Sequence, residues 1–377
     1  MVTSKSQRPK HRRVYDALTQ DIESGRLKRG DRLPSEAELV RTFGVSRITV
    51  GRAVRDLQLA GLVERRAGSG TYVPTIARAT RGLSFGLLLP ELGETEIFEP
   101  ICQGMMTSPL ASRHALLWGS AIRTGASKEE RAWQLCRQYI DRKVSGVFFA
   151  PLELTIRKDD VNERIVRALD EAGIPVVLLD RPALPYPQRG HHDLVGIDNR
   201  RAAYLVTEHL LRLGSRRVAF VGLPNAAATV EAREAGYREA LHAADAQIDR
   251  ALVKRLDPSA TAEVRAFLDA ARPDAVVCAN DWTAARFMHS VLALGYGIPR
   301  DLRLAGIDDM DYASLLPVPL TTLRQPTREI GAAAFAAMLD RVVRPGGPVR
   351  DILLQPELIV RKSCGGSRGD RGAAAAT

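Results

Sequence analysis

Between residues 83 and 363 the chain alternates short apolar runs with amphipathic stretches of helical length, and this alternation limits the folds open to it more than any other feature. SFGLLLP, HALLWG, SGVFFAP, IPVVLLD, RRVAFVG, DAVVCAND and LRLAGIDD have the apolar, turn-bounded character of buried strands. Strands that take turns with helices imply parallel βαβ units, and hence doubly wound sheets with helices on both faces. The segment, about 280 residues, is long for one such sheet. Two α/β lobes of similar build are therefore expected, forming a clamshell with a ligand crevice at the carboxyl ends of the strands.

The first 76 residues follow another pattern. Val14, Leu18 and Ile22, with Ala17 beside them, mark one face of a helix from Arg13 to Ser24 that Gly25 ends. Ser35 and Glu38 have capping-box spacing at the start of a second helix, buried through Leu39, Val40 and Phe43 and ended by Gly44. Ser46 caps a third, whose inner face reads Val50, Ala53, Val54, Leu57. The turn between the second and third helices is as short as a helix-turn-helix requires. Arg47, Thr49, Arg52 and Arg55 then project away from the inner face, where arginines reach guanine edges or phosphates in a major groove. LVERRAGSGTYV reads as a hairpin wing: Gly68 and Gly70 let its backbone approach a phosphate, and Arg65 and Arg66 add charge.

Charge placement agrees. Residues 1–78 hold sixteen Lys or Arg against eight Asp or Glu, so most of the net charge of +10 sits in the head. A basic module joined to a nearly neutral one suits a phosphate-binding head on a body with another task. No apolar run is long enough for a membrane span, and the basic N-terminus lacks the apolar core of a secretory signal, so a cytoplasmic protein is expected. Cys102, Cys136, Cys278 and Cys364 have no metal-ligand spacing and read as inert thiols. Asp308, Asp309 and Asp311 read as a turn and helix cap. His191, His192 and Asp193 read as a solvated connector in a Pro- and Gly-rich loop near the lobe crossover. Neither group is expected to hold a metal. With no nucleophile elbow, phosphate-binding glycine loop or triad in view, no catalytic residue, cofactor or enzymatic activity is expected. The expected boundaries are a head at 1–76, a linker at 77–82, the body at 83–363 and a disordered Gly- and Ala-rich tail at 364–377.

LPSEAEL, FGVSRITV and GLVERRAGSGTYV resemble the winged-helix heads of GntR-type regulators over residues 12–74. By that resemblance Ser35, Glu36, Ser46, Arg47, Thr49, Arg52 and Gly70 fall where such heads meet DNA. Ala37 and Gly51 stand where these heads commonly carry arginine, so the usual operator sequence does not transfer. In the body, VGIDNRRAAYLVTEHLLRLGSRRVAFVG, EAREAGYREAL, AND and LAGIDDMDYASLLPVPLTTLRQP resemble the effector domain of LacI/GalR repressors and periplasmic sugar-binding proteins. The pairing of head and body is similar to that in arabinose repressors. The resemblance implies that Arg233 hydrogen-bonds an effector, a structural ion pair being the other reading. Asn280, Asp281 and Asp308, at strand ends, are candidate effector contacts, and Phe98 and Trp282 are candidate stacking surfaces or else core. The expectation is a homodimeric repressor that binds double-stranded operator DNA and is released by a small sugar-class effector. The alternative is a regulator that a nucleobase-like corepressor tightens on DNA.

Overall fold

The computed structural model describes residues 10–28, 30–59, 62–66, 69–73, 82–89, 96–119, 126–246 and 248–366. It divides into two compact units, Met1–Leu83 with Ser108–Ala115, and Ser84–Thr107 with Leu116–Thr377. The expected linker falls almost wholly outside the described residues, as do positions 367–377 of the expected tail and Gly68 of the wing.

The head contains α1 (Lys10–Glu23), α2 (Glu36–Phe43), α3 (Arg47–Leu59), β1 (Glu64–Arg66) and β2 (Gly70–Tyr72). The capping box forms: Glu38 N–H donates to Ser35 Oγ at 3.3 Å, and Ser35 N–H donates to the Glu38 carboxylate at 2.6 Å. Gly44 ends α2 in the left-handed conformation, its N–H donating to the Val40 carbonyl. Helical spacing on each segment brings Val14, Leu18, Leu39, Val50, Ala53 and Leu57 into one core, closed by Leu33, Val63 and Val73. β1 and β2 pair antiparallel, Glu64 opposite Tyr72 and Arg66 opposite Gly70, and Arg32 makes a further antiparallel bridge to Tyr72.

The first lobe of the body is built from β3 (Ser84–Leu88), α4 (Phe98–Thr107), β4 (Ala115–Trp118), α5 (Lys128–Asp141), β5 (Gly146–Phe149), α6 (Lys158–Glu171), β6 (Val176–Leu179) and β7 (Asp193–Ile197). The second lobe follows with α7 (Asn199–Arg212), β8 (Val218–Gly222), α8 (Ala228–Ala243), β9 (Val253–Arg255), α9 (Thr261–Ala271), β10 (Ala275–Cys278), α10 (Asp281–Ala293) and β11 (Arg303–Ala305). The chain then returns through β12 (Thr322–Arg324), α11 (Thr327–Val343), β13 (Asp351–Leu354) and β14 (Glu357–Ile359). The first sheet runs β13-β7-β6-β5-β3-β4 and the second β11-β10-β8-β9, with β12 and β14 as a two-stranded antiparallel strip. From β13 to β3 neighbours are parallel, as they are throughout the second sheet. The doubly wound α/β class read from the sequence is the one observed.

Strands buried on both faces explain the uninterrupted apolar runs. In the first lobe Tyr139, Val147, Phe149, Ile165 and Leu178 form one core. Across the sheet Phe85, Phe148 and Phe335 pack with ring centroids 5.6–6.0 Å apart, so α11 belongs to the first lobe although the second precedes it in sequence. The second core gathers Val221, Phe267, Val276, Phe287 and Leu304. Three passages join the lobes: after β7, between β11 and α11, and after β13.

Two expectations need correction. His192 and Asp193 are not a solvated connector. Asp193 opens β7, is fully buried, and binds Arg341 at 2.6 Å and Arg350 at 2.8 Å. Nor does the tail begin at residue 364. Cys364 is buried in a short helical turn (Lys362–Cys364), within 3.1 Å of the Thr321 hydroxyl, because this turn seals β11 of the second lobe.

Candidate nucleic-acid interface and effector pocket

On α3 the buried stripe of Val50, Ala53, Val54 and Leu57 fixes which residues face outward, and Arg47, Arg52 and Arg55 are all exposed. Ser46 opens the helix by accepting the Thr49 N–H at 3.3 Å, and the two hydroxyls lie 2.8 Å apart. Arg47, largely exposed, is paired with Glu36 of α2 at 3.3 Å, so these two residues meet on the outer faces of the two helices. Ser35, exposed, is engaged in its capping box. Sequence reading missed Ile48, an apolar side chain 87% exposed in the first turn of α3. Its signal was its place outside the buried stripe, beside the arginines. In the wing Gly70 has φ +125°, and a Cβ there would meet the Arg32 guanidinium at 2.7 Å. Arg32 thereby joins the wing, a cation that the motif alone does not reveal.

In the body a cavity of about 360 Å³ opens at the carboxyl ends of the strands. The first lobe supplies Glu96, Ile97, Glu153 and Leu154; the second supplies Leu223, Ala279, Asn280, Trp282, Asp308 and Tyr312, among others. Three of the described lining residues are acids and none is a lysine or arginine. The lobes also touch directly, Leu154 N–H donating to the Asn225 carbonyl at 2.7 Å and Ala227 N–H to the Glu153 carboxylate at 3.2 Å.

The candidate effector residues separate into lining and support. Asn280 and Trp282 line the cavity; Asn280 also caps α10, accepting the Thr283 N–H at 2.9 Å, and Arg286 covers one face of the Trp282 ring at 4.0 Å. Asp308 lines it too, on a turn where it and Asp309 both have positive φ. Arg233 is only 4% exposed and stands behind the lining. It donates to Asn199 at 2.8 Å and to the Ala279 carbonyl at 2.6 Å, and pairs with Asp308 at 3.4 Å. Asp281 is fully buried and faces away from the cavity, accepting from the Thr322 hydroxyl at 2.6 Å and the Met310 N–H at 3.0 Å. Phe98 is 2% exposed at the start of α4, with the Arg181 guanidinium over its ring. It is core and offers no stacking surface, because its hydrophobic bulk seats α4.

Sequence reading also missed Glu153 and Arg181, an ion pair of 2.5 Å at the cavity wall. Burial pulls the Glu153 carboxyl upward, but Arg181, the Ala227 N–H and Arg233 together outweigh it and hold the pKa below the usual carboxylate range. Burial, only partly offset by Arg233, pushes Asp308 up to about 6. Burial together with the Asp308 charge pushes Asp281 up to about 7. Asp309 is held by Arg324 at 2.7 Å and Arg361 at 2.6 Å, which leaves it a structural anchor in the turn. The four cysteines are buried and free; burial raises Cys102 and Cys136 to about 12, which keeps both as thiols. No helix among the described residues is long and apolar enough to cross a membrane.

Residues 10–73 match the gntR family of bacterial regulatory proteins, and residues 207–364 match the periplasmic binding protein-like domain. The chain is 28% identical over 366 residues to the arabinose metabolism transcriptional repressor of Geobacillus stearothermophilus, covering 94% of this chain and 97% of that one. It is 30% identical over 350 residues to the HTH-type transcriptional regulator CelR of Thermobifida fusca, covering 88% of this chain and 98% of the relative. Among solved structures, the transcriptional regulator CelR–cellobiose complex aligns with a TM-score of 0.63 at 27% identity, covering 85% of this chain and 91% of that one. With an outward arginine face on a helix-turn-helix, a strand-end pocket between two α/β lobes and relatives matched along nearly their whole length, the chain belongs to the bacterial DNA-binding transcriptional regulators, its head of the gntR family and its body periplasmic-binding-protein-like.

Proposed function

We propose that this protein is a cytoplasmic repressor that grips a palindromic operator as a homodimer and releases it when a neutral, hydroxyl-rich sugar occupies the body's pocket. The lining carries the sugar reading. Glu96, Glu153 and Asp308 accept hydrogen bonds from hydroxyl groups, and Asn280 can both give and accept them. Trp282 adds an apolar surface of the kind a sugar ring packs on. Among the described lining residues a sugar acid or sugar phosphate would meet three acids and no lysine or arginine, the Arg181 and Arg233 behind them being already paired with Glu153 and Asp308, so charge argues for an uncharged ligand. The relatives named for arabinose metabolism and solved with cellobiose support the same class. Arg233 acts through Asp308, fixing its carboxylate, while Arg47, Ile48, Thr49, Arg52 and Arg55 of α3 address the major groove, Ser35 and Glu36 flank them, and the wing around Gly70 approaches the backbone. Two heads on a two-fold axis would meet half-sites about 34 Å apart, one helical turn of DNA. The pocket serves binding, and no cofactor or catalytic step is assigned to it.

The test is an anisotropy titration of the full chain on duplexes it selects from a random pool, repeated with neutral pentoses, hexoses and disaccharides, their acids and phosphates, and nucleobases. A neutral sugar that weakens operator binding at least tenfold, with an effect lost in Trp282→Ala, supports the proposal. A nucleobase that tightens binding while every sugar is silent overturns it.

A further inference from the structure

Away from the effector pocket, the first lobe holds a second convergence of chemically able side chains. Asp170 lies in the last turn of α6, and His191 and His192 lie just before β7. His191 Nε2 is 3.0 Å from one oxygen of the Asp170 carboxylate, and His192 Nε2 is 3.0 Å from the other. The imidazole rings lie 4.4 Å apart with a tilt of 32°, so both nitrogens face one carboxylate. One donor atom from each of the three residues lies within 4.8 Å of the other two. Because the sheet is parallel, these residues, which precede β6 and β7, sit at the amino edge of the strands. The pocket residues Glu153 and Asn280 follow β5 and β10 at the carboxyl edge. The two places are therefore distinct.

We propose that Asp170, His191 and His192 form a transition-metal site of zinc-like preference, clipping the end of α6 to the start of β7. Zinc takes imidazole nitrogen and carboxylate oxygen at about 2.0–2.1 Å in tetrahedral array, which sets its donors about 3.3 Å apart. Each histidine stands 3.0 Å from a different oxygen of the Asp170 carboxylate and the three donor atoms lie within 4.8 Å of one another, so rotation of the exposed His191 ring and of the carboxylate would bring them to that spacing around an ion. Two imidazoles select against magnesium and calcium, which prefer all-oxygen shells. The frame is already rigid on the strand side. Arg189 donates to the carbonyls of Gly190 at 2.8 Å and His192 at 3.1 Å and pairs with Asp351 at 2.5 Å, while neighbouring Asp193 is locked by Arg341 and Arg350. A cavity of about 220 Å³, lined by all three residues together with Glu163 and Gln188, gives room for a fourth ligand such as water.

The probe is zinc chloride added to the tag-free, chelator-treated full chain, read by competition with a chromogenic zinc chelator. One equivalent per chain is expected to bind, with affinity at least tenfold weaker in His191→Ala and in Asp170→Asn, and unaffected by millimolar magnesium. His191 is 73% exposed, so its truncation leaves the fold intact, which a melting curve without metal verifies. Retention of the same affinity in His191→Ala, or absence of saturable binding to the wild-type chain, overturns the proposal.

Discussion

Asp308 shows what the pocket demands of a single residue. Its φ of +129° is one that L side chains rarely adopt, and Asp309 beside it is also positive at +55°. Such backbone costs about 1–3 kcal/mol per residue and persists where surrounding bonds over-determine it. Here Asp308 N–H donates to the Leu323 carbonyl at 2.9 Å, and Gln325 donates to the Asp308 carboxylate at 2.8 Å. Its folded pKa, about 6, lies above the ordinary 3.8. An acid raised on folding binds its proton more tightly in the native state, so the stability it confers declines as pH rises from the lower value to the higher one. Between pH 4.5 and pH 7.5 the stability of Asp308→Asn should therefore gain about 2 kcal/mol on the wild type, at 1.36 kcal/mol per pKa unit. Chemical denaturation of both proteins at the two pH values measures this; a constant difference would mean that the carboxylate titrates normally. The strand ends that hold Asn280, Asp281 and Asp308 were legible in sequence, but the direction of each side chain was not. Successive residues at a helix start point about 100° apart, so Asn280 reaches the pocket while Asp281 turns behind it. No periodic pattern marks that turn.

At the scale of elements, legibility followed the apolar period. The three head helices and seven long apolar runs of the body carried it, whereas β7, β9, β12, β13 and β14 did not. β9 and β12 hold charged residues, as in VKR and TLR, that only their neighbours make into strands, while β7, β13 and β14 are short apolar runs that each open on an acid and show no period of their own. Helix contacts were equally silent, and Gly236 is the case in point. A Cβ there would lie 1.8 Å from the Arg200 carbonyl oxygen, backbone against backbone where α8 meets α7. Gly236→Ala should lower the stability of the body by about 3 kcal/mol through forced separation of the helices. Gly51 is the opposite case, since nothing lies within 4 Å of a Cβ on this position of α3. Gly51→Ala should stabilise the head by about 0.5–1 kcal/mol through helix propensity alone. Thermal melting of the two variants separates the cases, and a loss at Gly51 would imply a contact that the fold does not contain.

For the whole molecule, head and body each have a core of their own, and this predicts separable defects. Arg52→Ala should weaken operator binding by about 1–3 kcal/mol, the worth of one good arginine contact to base edges, while the thermal shift given by the effector stays unchanged. Trp282→Ala should do the reverse. Operator anisotropy and ligand-dependent melting, run on both variants, check this, and equal loss of both activities in either variant would refute modularity. The three passages between the lobes carry a different consequence, for synthesis. A ribosome delivers β3 to β7 first, yet the first sheet lacks its edge strand β13 and the cover of α11, including Phe335, until α7 to β11 of the second lobe have emerged. Neither lobe is a continuous stretch of message. A chain halted between residues 325 and 350 would end with β7 unpaired along one edge, and one halted before α11 would also leave an apolar sheet face bare, the state most open to aggregation and proteolysis. Truncation within that window thus yields an unfinished first lobe, whose closure waits on the edge strand β13 although most of the second lobe is already made.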